Sequence, residues 1–205
     1  MAGDSLSKPN YFEAALELLA SGGIGAVTIS ALCYRLGVTK GSFYHHFESG
    51  QDFQKQLLRY WEHDRVEQLM PFLEAMDPVD RLTALKLGAV SINHEAASAI
   101  RAWARTDKSA AASQARVDRE TEKLLARFLV EAGIPEKSAR TLARIGFSIL
   151  VAAQQLERPV DRDRLLKTFD EYQRWLESMI ERSQAAPVVS VVGRRRASRK
   201  RTTVG

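Results

Sequence analysis

Apolar residues in this chain recur at intervals of three and four, and no segment shows the alternation expected of a half-buried strand. Phe12, Ala15, Leu16 and Leu19 form a first helical stripe, opened near Pro9, since proline suits the start of a helix, and stopped by Ser21-Gly22-Gly23. Ile29, Leu32, Cys33 and Leu36 form a second, with Thr28 as its N-cap. Gly37 follows at once, and a helix ends there cheaply because glycine enters the left-handed region without a Cβ clash. Val38 plugs the corner, and Thr39 caps a third helix whose inward residue is Phe43. Two short helices joined by so tight a turn cannot bury enough surface alone. The preceding helix, with Ile24 and Val27, is expected to complete a three-helix core.

Ser49 opens the next helix, with Asp52 complementing its positive end, and Phe53, Leu57, Tyr60, Trp61 and Leu69 carry it to Pro71 as a connector. Asp77-Pro78-Val79-Asp80 is a strong start signal for the stripe Leu82, Leu85, Ala89 and Ile92. A helix from Ala96 to Arg105 and a longer one from Asp107 to Ala132 follow. The last two helices, Pro135 to Glu157 and Asp161 to Ser183, are apolar on more than one face. Covering both stripes calls for a second helical surface, and another copy of the chain is the economical source. Leu142, Ile149, Leu150, Ala153, Phe169, Tyr172, Trp175, Leu176 and Met179 are the candidates for that homodimer interface, the alternative being that both stripes are core within one chain. The expected architecture is all-α: a helix-turn-helix head over residues 1–48, a helical regulatory and dimerisation domain over 49–184, and a basic tail over 185–205 too poor in apolar residues to fold.

Composition narrows the class. The chain has 205 residues, 45% of them apolar, enough for one or two cores. Charges interrupt every apolar run before it reaches membrane-spanning length, and the N-terminus has no signal-peptide pattern, so a cytoplasmic location is expected. The single cysteine, Cys33, cannot form an internal disulfide and lies on a buried face, as core filler. A net charge of +5 invites a nucleic-acid reading, but Arg194, Arg195, Arg196, Arg199, Lys200 and Arg201 carry six positive charges, leaving the rest one unit negative. Affinity for DNA must then come from local placement of cations, hydroxyls and helix ends.

That placement is present between residues 28 and 47. Thr39, Lys40, Gly41, Ser42, Tyr44 and His45 point outward from the third helix, and Thr28, Arg35 and His46 complete the candidate DNA-binding set. Hydroxyls and a lysine reach phosphate oxygens, Gly41 lets the backbone come close, and Tyr44 and His45 can donate to phosphate or touch base edges. The expected partner is double-stranded operator DNA, with the second helix of the motif in the major groove. Val38-Thr39-Lys40-Gly41-Ser42-Phe43-Tyr44-His45-His46-Phe47 resembles the signature of the tetracycline-repressor (TetR) family: a Gly-Val turn, a Ser/Thr-Lys-Gly start and a Tyr-x-His-Phe end. The resemblance runs over roughly residues 9 to 58. It implies a homodimeric regulator, most often a repressor, that leaves its operator when a small effector occupies the helical domain. One departure is visible: the family usually carries a phosphate-contacting lysine just after the final Phe, where this chain has Glu48-Ser49-Gly50-Gln51.

No catalytic constellation or cofactor site emerges, and neither an enzyme nor a metal centre is expected. His45 and His46 are neighbours about 100° apart on a helix and cannot both face one ion. Trp61, Trp103, Phe128 and Phe147 are candidates to wall a ligand pocket, with Asn93 and His94 as its polar contacts, although aromatics at helical spacing also serve as plain core and Asn93-His94 as a cap. The competing function is a helical ligand-binding or interaction module whose head has lost sequence-specific recognition.

Overall fold

The computed structural model describes residues 6–64 and 70–185. Leu69 and the basic tail, with Arg194, Arg195, Arg196, Arg199, Lys200 and Arg201, lie outside the described residues. Among those described there are ten α-helices and no strand. The head is built from α1 (Lys8–Gly22), a 3-10 turn (Ile24–Ala26), α2 (Ile29–Leu36) and α3 (Lys40–His46), and α4 (Gly50–Asp64) leaves it as the connector. The body holds α5 (Met70–Glu74), α6 (Pro78–Ser91), α7 (His94–Trp103), α8 (Lys108–Glu131), α9 (Glu136–Leu156) and α10 (Arg162–Ala185). No helix among the described residues is long and apolar enough to cross a membrane.

Local chemistry sets the boundaries. Thr28, Thr39, Asn93 and Asp107 each accept a hydrogen bond from the backbone N–H three residues on, satisfying a donor that the first turn would otherwise leave open. Gly37 sits at φ 67°, ψ 31°, and the Val38 N–H closes back onto the Cys33 carbonyl at 2.9 Å. Pro71, expected to end the connector, lies within Met70–Glu74.

One apolar cluster joins the head to the body. Tyr11, Phe12, Leu19, Leu32, Phe43, Phe47 and Phe53 continue through Leu57 and Trp61 of α4 into Ala97 and Ile100 of α7 and Val117 of α8. A second cluster lies at the far end, where Leu82, Leu129, Ile134, Leu142, Leu176 and Ile180 meet.

The two stripes of α9 and α10 are divided differently from the dimer expectation. Leu142 and Leu176 are buried in the far cluster, Met179 packs against it, and Phe169 is also buried, all within one chain. The reason is that α8, at 24 residues, is long enough to cover one side of α9 while α10 covers another. Ile149 and Ala153 are half-buried, and Leu150 faces an interior cavity instead of solvent. Among the described residues, the large apolar side chains left exposed on these helices are Ile145, Leu156 and Trp175. At Gly146 the helices approach so closely that a Cβ would lie 2.9 Å from Tyr172 Cε1.

Candidate nucleic-acid interface and interior cavity

The head is organised by rings. Phe43 and Phe47 lie 5.0 Å apart between centroids, Phe47 and Phe53 4.9 Å, and Tyr11 lies 5.9 Å from Phe43 and 5.4 Å from Phe47. A seven-residue helix is too short to persist alone, so α3 depends on this cluster for its position. Burial of Phe43 alone is worth roughly 1.5–3 kcal/mol in transfer free energy. Cys33 lies between the two helices of the motif with Sγ 3.5 Å from the Thr39 carbonyl, and burial pushes its thiol up from the ordinary value, the opposite of what a nucleophile needs.

With that floor closed, Thr39, Lys40, Gly41, Tyr44 and His45 are exposed along α3, and Thr28 and Arg35 are exposed beside them. Three residues of the expected set carry a second obligation. Ser42 is half-buried and shares a 3.1 Å hydrogen bond with the Tyr11 hydroxyl. His46 turns inward, its ring 5.4 Å from Tyr11, because its place on the helix is on the Phe43 side. Arg35 donates to Glu17 at 2.6 Å, so its charge is balanced within the head. Sequence reasoning missed Tyr34, which is 91% exposed in the last turn of α2. Its position directly after buried Cys33 already put it on the outer face.

Basic groups near the start of α4 are held locally. Lys8 Nζ donates to Gln56 Oε1 at 2.9 Å and lies 5.4 Å from the Phe47 ring centre. The hydrogen bond from Gln56 holds the Asp52 carboxyl below the usual carboxylate range. Gly50 has room: a Cβ there would meet nothing nearer than Ile29 Cδ1 at 3.8 Å.

In the body, α6, α8, α9 and α10, with Phe72, Leu73 and Met76 of α5, line a partly open pocket of about 270 Å³ that has Trp61 of α4 and Ala97 of α7 on its head side. Of the expected pocket residues, Trp61 and Phe147 line it. Asn93 caps α7 instead, and Trp103 packs with Leu58 and Ala110. Phe128 is buried under two guanidinium groups, Arg81 at 4.4 Å and Arg127 at 4.9 Å from its ring centre. His94 lies one layer behind the wall, with Nε2 3.1 Å from the Val90 carbonyl and Nδ1 3.3 Å from Nε2 of Gln154, itself a wall residue.

The polar groups of the wall were not anticipated from sequence. Arg101 donates to both oxygens of Asp118, at 2.9 and 2.7 Å, and Gln114 Nε2 donates to the same carboxylate at 2.7 Å. Lys86 pairs with Asp170 at 2.7 Å. Tyr172 donates to the Leu142 carbonyl, and burial pushes its hydroxyl up to about 12. The available signal was the pair Gln114 and Asp118, one helical turn apart in line with Val117 and Thr121. Among the described residues there is no group of three or more His, Cys, Asp or Glu that could hold a metal ion.

Residues 12–53 match the model of the family "Bacterial regulatory proteins, tetR family". The HTH-type transcriptional repressor KstR2 of Mycolicibacterium smegmatis is 28% identical over 109 residues, a stretch covering 49% of this chain and 52%, about half, of that relative. Among solved structures, a transcriptional regulator from Rhodococcus sp. Rha1 superposes with a TM-score of 0.69 at 18% identity, covering 85% of this chain and 97% of the other. A Saccharomonospora viridis regulator in complex with choline gives 0.67 at 15% identity, covering 80% and 94%, and a TetR transcription regulator from Haloarcula marismortui gives 0.66 at 18%, covering 82% and 96%. At such identities these structures establish a shared fold.

Proposed function

We propose that this chain, whose head belongs to the tetR family of bacterial regulatory proteins, is a transcriptional repressor that binds operator DNA as a homodimer and releases it when a small molecule occupies the body's cavity. The observation that carries this reading is the exposed face of α3, with Thr39, Lys40, Gly41, Tyr44 and His45 held over a closed aromatic floor. In this reading the Lys40 ammonium and the Thr28 and Thr39 hydroxyls meet phosphates, while Tyr44 and His45 meet base edges. Arg35 joins them only by exchanging Glu17 for phosphate, and Tyr34 is positioned to add a backbone contact.

Exposed Ile145, Leu156 and Trp175 support assembly through α9 and α10, narrower than the sequence suggested. Two heads tied at fixed separation would engage two half-sites, the second contact being nearly intramolecular. Coupling between cavity and head is supported by residues common to both: Trp61, Ala97 and Val117 line the cavity and belong to the apolar cluster that contains Phe43. A ligand that displaces Trp61 loads α4, and through Phe53 the floor beneath α3. That the Saccharomonospora viridis protein of the same fold is in complex with choline supports a small-molecule site in this one.

The test begins with genomic fragments selected by repeated binding to the full chain, followed by anisotropy titrations at fixed salt. Lys40→Ala and Tyr44→Ala should each weaken binding to the selected site by about 1–3 kcal/mol with no change in melting temperature. Full-strength binding by both variants would remove α3 from the proposed role.

A further inference from the structure

Between residues 6 and 64 the head carries five lysines and arginines against six aspartates and glutamates, so its attraction for phosphate depends on where single cations stand and on what already holds them. Arg35 is held by the Glu17 carboxylate, and Lys40 stands exposed at the first position of α3. Lys8 is a third case. It is the first residue of α1, where Ser7 and Asn10 form a capping box, so its backbone is fixed while its side chain is exposed. Tyr11, three residues on and therefore on the same side of α1, shares a hydrogen bond with Ser42 and lies 5.4 Å from the His46 ring, which sets the first turns of α1 against α3. The Lys8 ammonium stands 5.4 Å from the ring centre of Phe47, the residue that caps the C-terminal end of α3.

The group that holds this ammonium is Gln56, whose Oε1 accepts from it at 2.9 Å. The amide cannot turn round, because its Nε2 donates to Asp52 at 2.8 Å and a carboxylate accepts only from the NH2 end. Asp52 in turn accepts from the Glu48 N–H at 3.2 Å. Gln56 thus stands between Lys8 and the Asp52 carboxylate, and it places the lysine through a neutral oxygen that takes one of the three ammonium hydrogens. Lys40 and Lys8 flank opposite ends of a seven-residue helix about 10 Å long, close to the width of about 12 Å of a major groove. We propose that Lys8 binds a DNA phosphate at the C-terminal end of α3, as the counterpart of Lys40 at its start, and that Gln56 is the positioning residue that holds it there. This rests on the repressor reading and adds to it a DNA contact from α1.

The experiment titrates a labelled operator fragment and a random duplex with the full chain at several salt concentrations, for wild type, Lys8→Met, Lys8→Arg and Gln56→Leu. Methionine keeps an apolar stem over Phe47 and removes the charge. Lys8→Met should lower the slope of log affinity against log salt by about 0.9 for each chain engaged and weaken both duplexes by the same factor, while Lys8→Arg keeps the wild-type slope. Gln56→Leu leaves the charge present but unheld, so the slope should stay and affinity for both duplexes should fall about two- to tenfold, the cost of ordering one long side chain. An unchanged slope in Lys8→Met, a loss confined to the operator, or a slope in Lys8→Arg as flat as in Lys8→Met would each overturn the phosphate contact, and wild-type affinity in Gln56→Leu would overturn the positioning role. Lys40→Ala and Tyr44→Ala, measured alongside, separate the two readings. If they weaken operator binding while Lys8→Met keeps the slope, the repressor reading stands and the Lys8 contact falls. If they bind at full strength while Lys8→Met flattens the slope, α3 loses its role and the Lys8 contact remains; a wild type that binds neither duplex overturns both.

Discussion

The head and the body solve opposite packing problems. In the head, Tyr11, Phe43, Phe47 and Phe53 are all at most 2% exposed and interlock ring against ring, and α3, too short to hold itself, is fixed as tightly as the rings beneath it. The body is larger and less completely filled: its helices line a partly open pocket of about 270 Å³, mostly with aliphatic and aromatic groups. On the proposed function, the head gains from rigidity and the body gains from leaving stabilisation available to a ligand. Trp61 stands where the two regimes meet, buried in the head's cluster and lining the body's cavity.

The strongest way to break this contrast is to put a void into the head. Phe43→Ala removes a fully buried ring under α3 and should cost about 3–5 kcal/mol of stability. Urea unfolding followed by circular dichroism should show the loss, and DNA binding should go with it; a fall below about 1 kcal/mol would mean that the head is not tightly packed. The converse change overfills the body. Gly146→Ala sets a methyl against the Tyr172 ring, whose hydroxyl is tied to Leu142, and should destabilise by about 1–3 kcal/mol. Hydrogen exchange should report that loss in α9 and α10 and leave α1 to α3 protected.

A gentler probe of the body uses pH. The folded state holds Tyr172 as a neutral phenol, with its hydroxyl pushed up to about 12 from 10.0. Because the folded value is raised, the contribution is fully present below pH 10 and is lost as pH climbs from about 10 to about 12, where the unfolded chain ionises first. Tyr172→Phe should flatten that decline relative to wild type from about pH 10 upward in matched unfolding curves. Parallel declines in both proteins would place the alkaline sensitivity elsewhere. The smallest effect belongs to Gly50→Lys, which introduces a side chain where there is room for one. If α4 begins beside DNA, the variant should steepen the dependence of log affinity on log salt by about 0.9 for each lysine engaged. An unchanged slope would place that end of α4 away from the phosphates.

The head was legible because its determinants are local. Thr28, Gly37 and Thr39 act through hydrogen bonds and backbone angles within a few residues, so the three boundaries of the motif follow from chemistry that any nearby chain would feel. What the sequence did not show there, at His46, Ser42 and Arg35, was a distant partner, Tyr11 or Glu17 on α1. In the body the helices were legible and their neighbours were not. Period and caps placed α6 to α10, but Leu142, Leu150 and Leu176 share the apolar character of Ile145 and Trp175, and no local rule says which stripe turns to another helix, to a cavity or to solvent.

The sequence by itself determined that this is an all-helical protein with a helix-turn-helix head, because helical period, N-caps and a left-handed glycine are encoded within single turns of chain. Only the tertiary structure decided that a pocket exists, that Trp61 lies on its head side, and that Lys8 meets Gln56 across the head. Those facts depend on how several helices separated by tens of residues pack face to face.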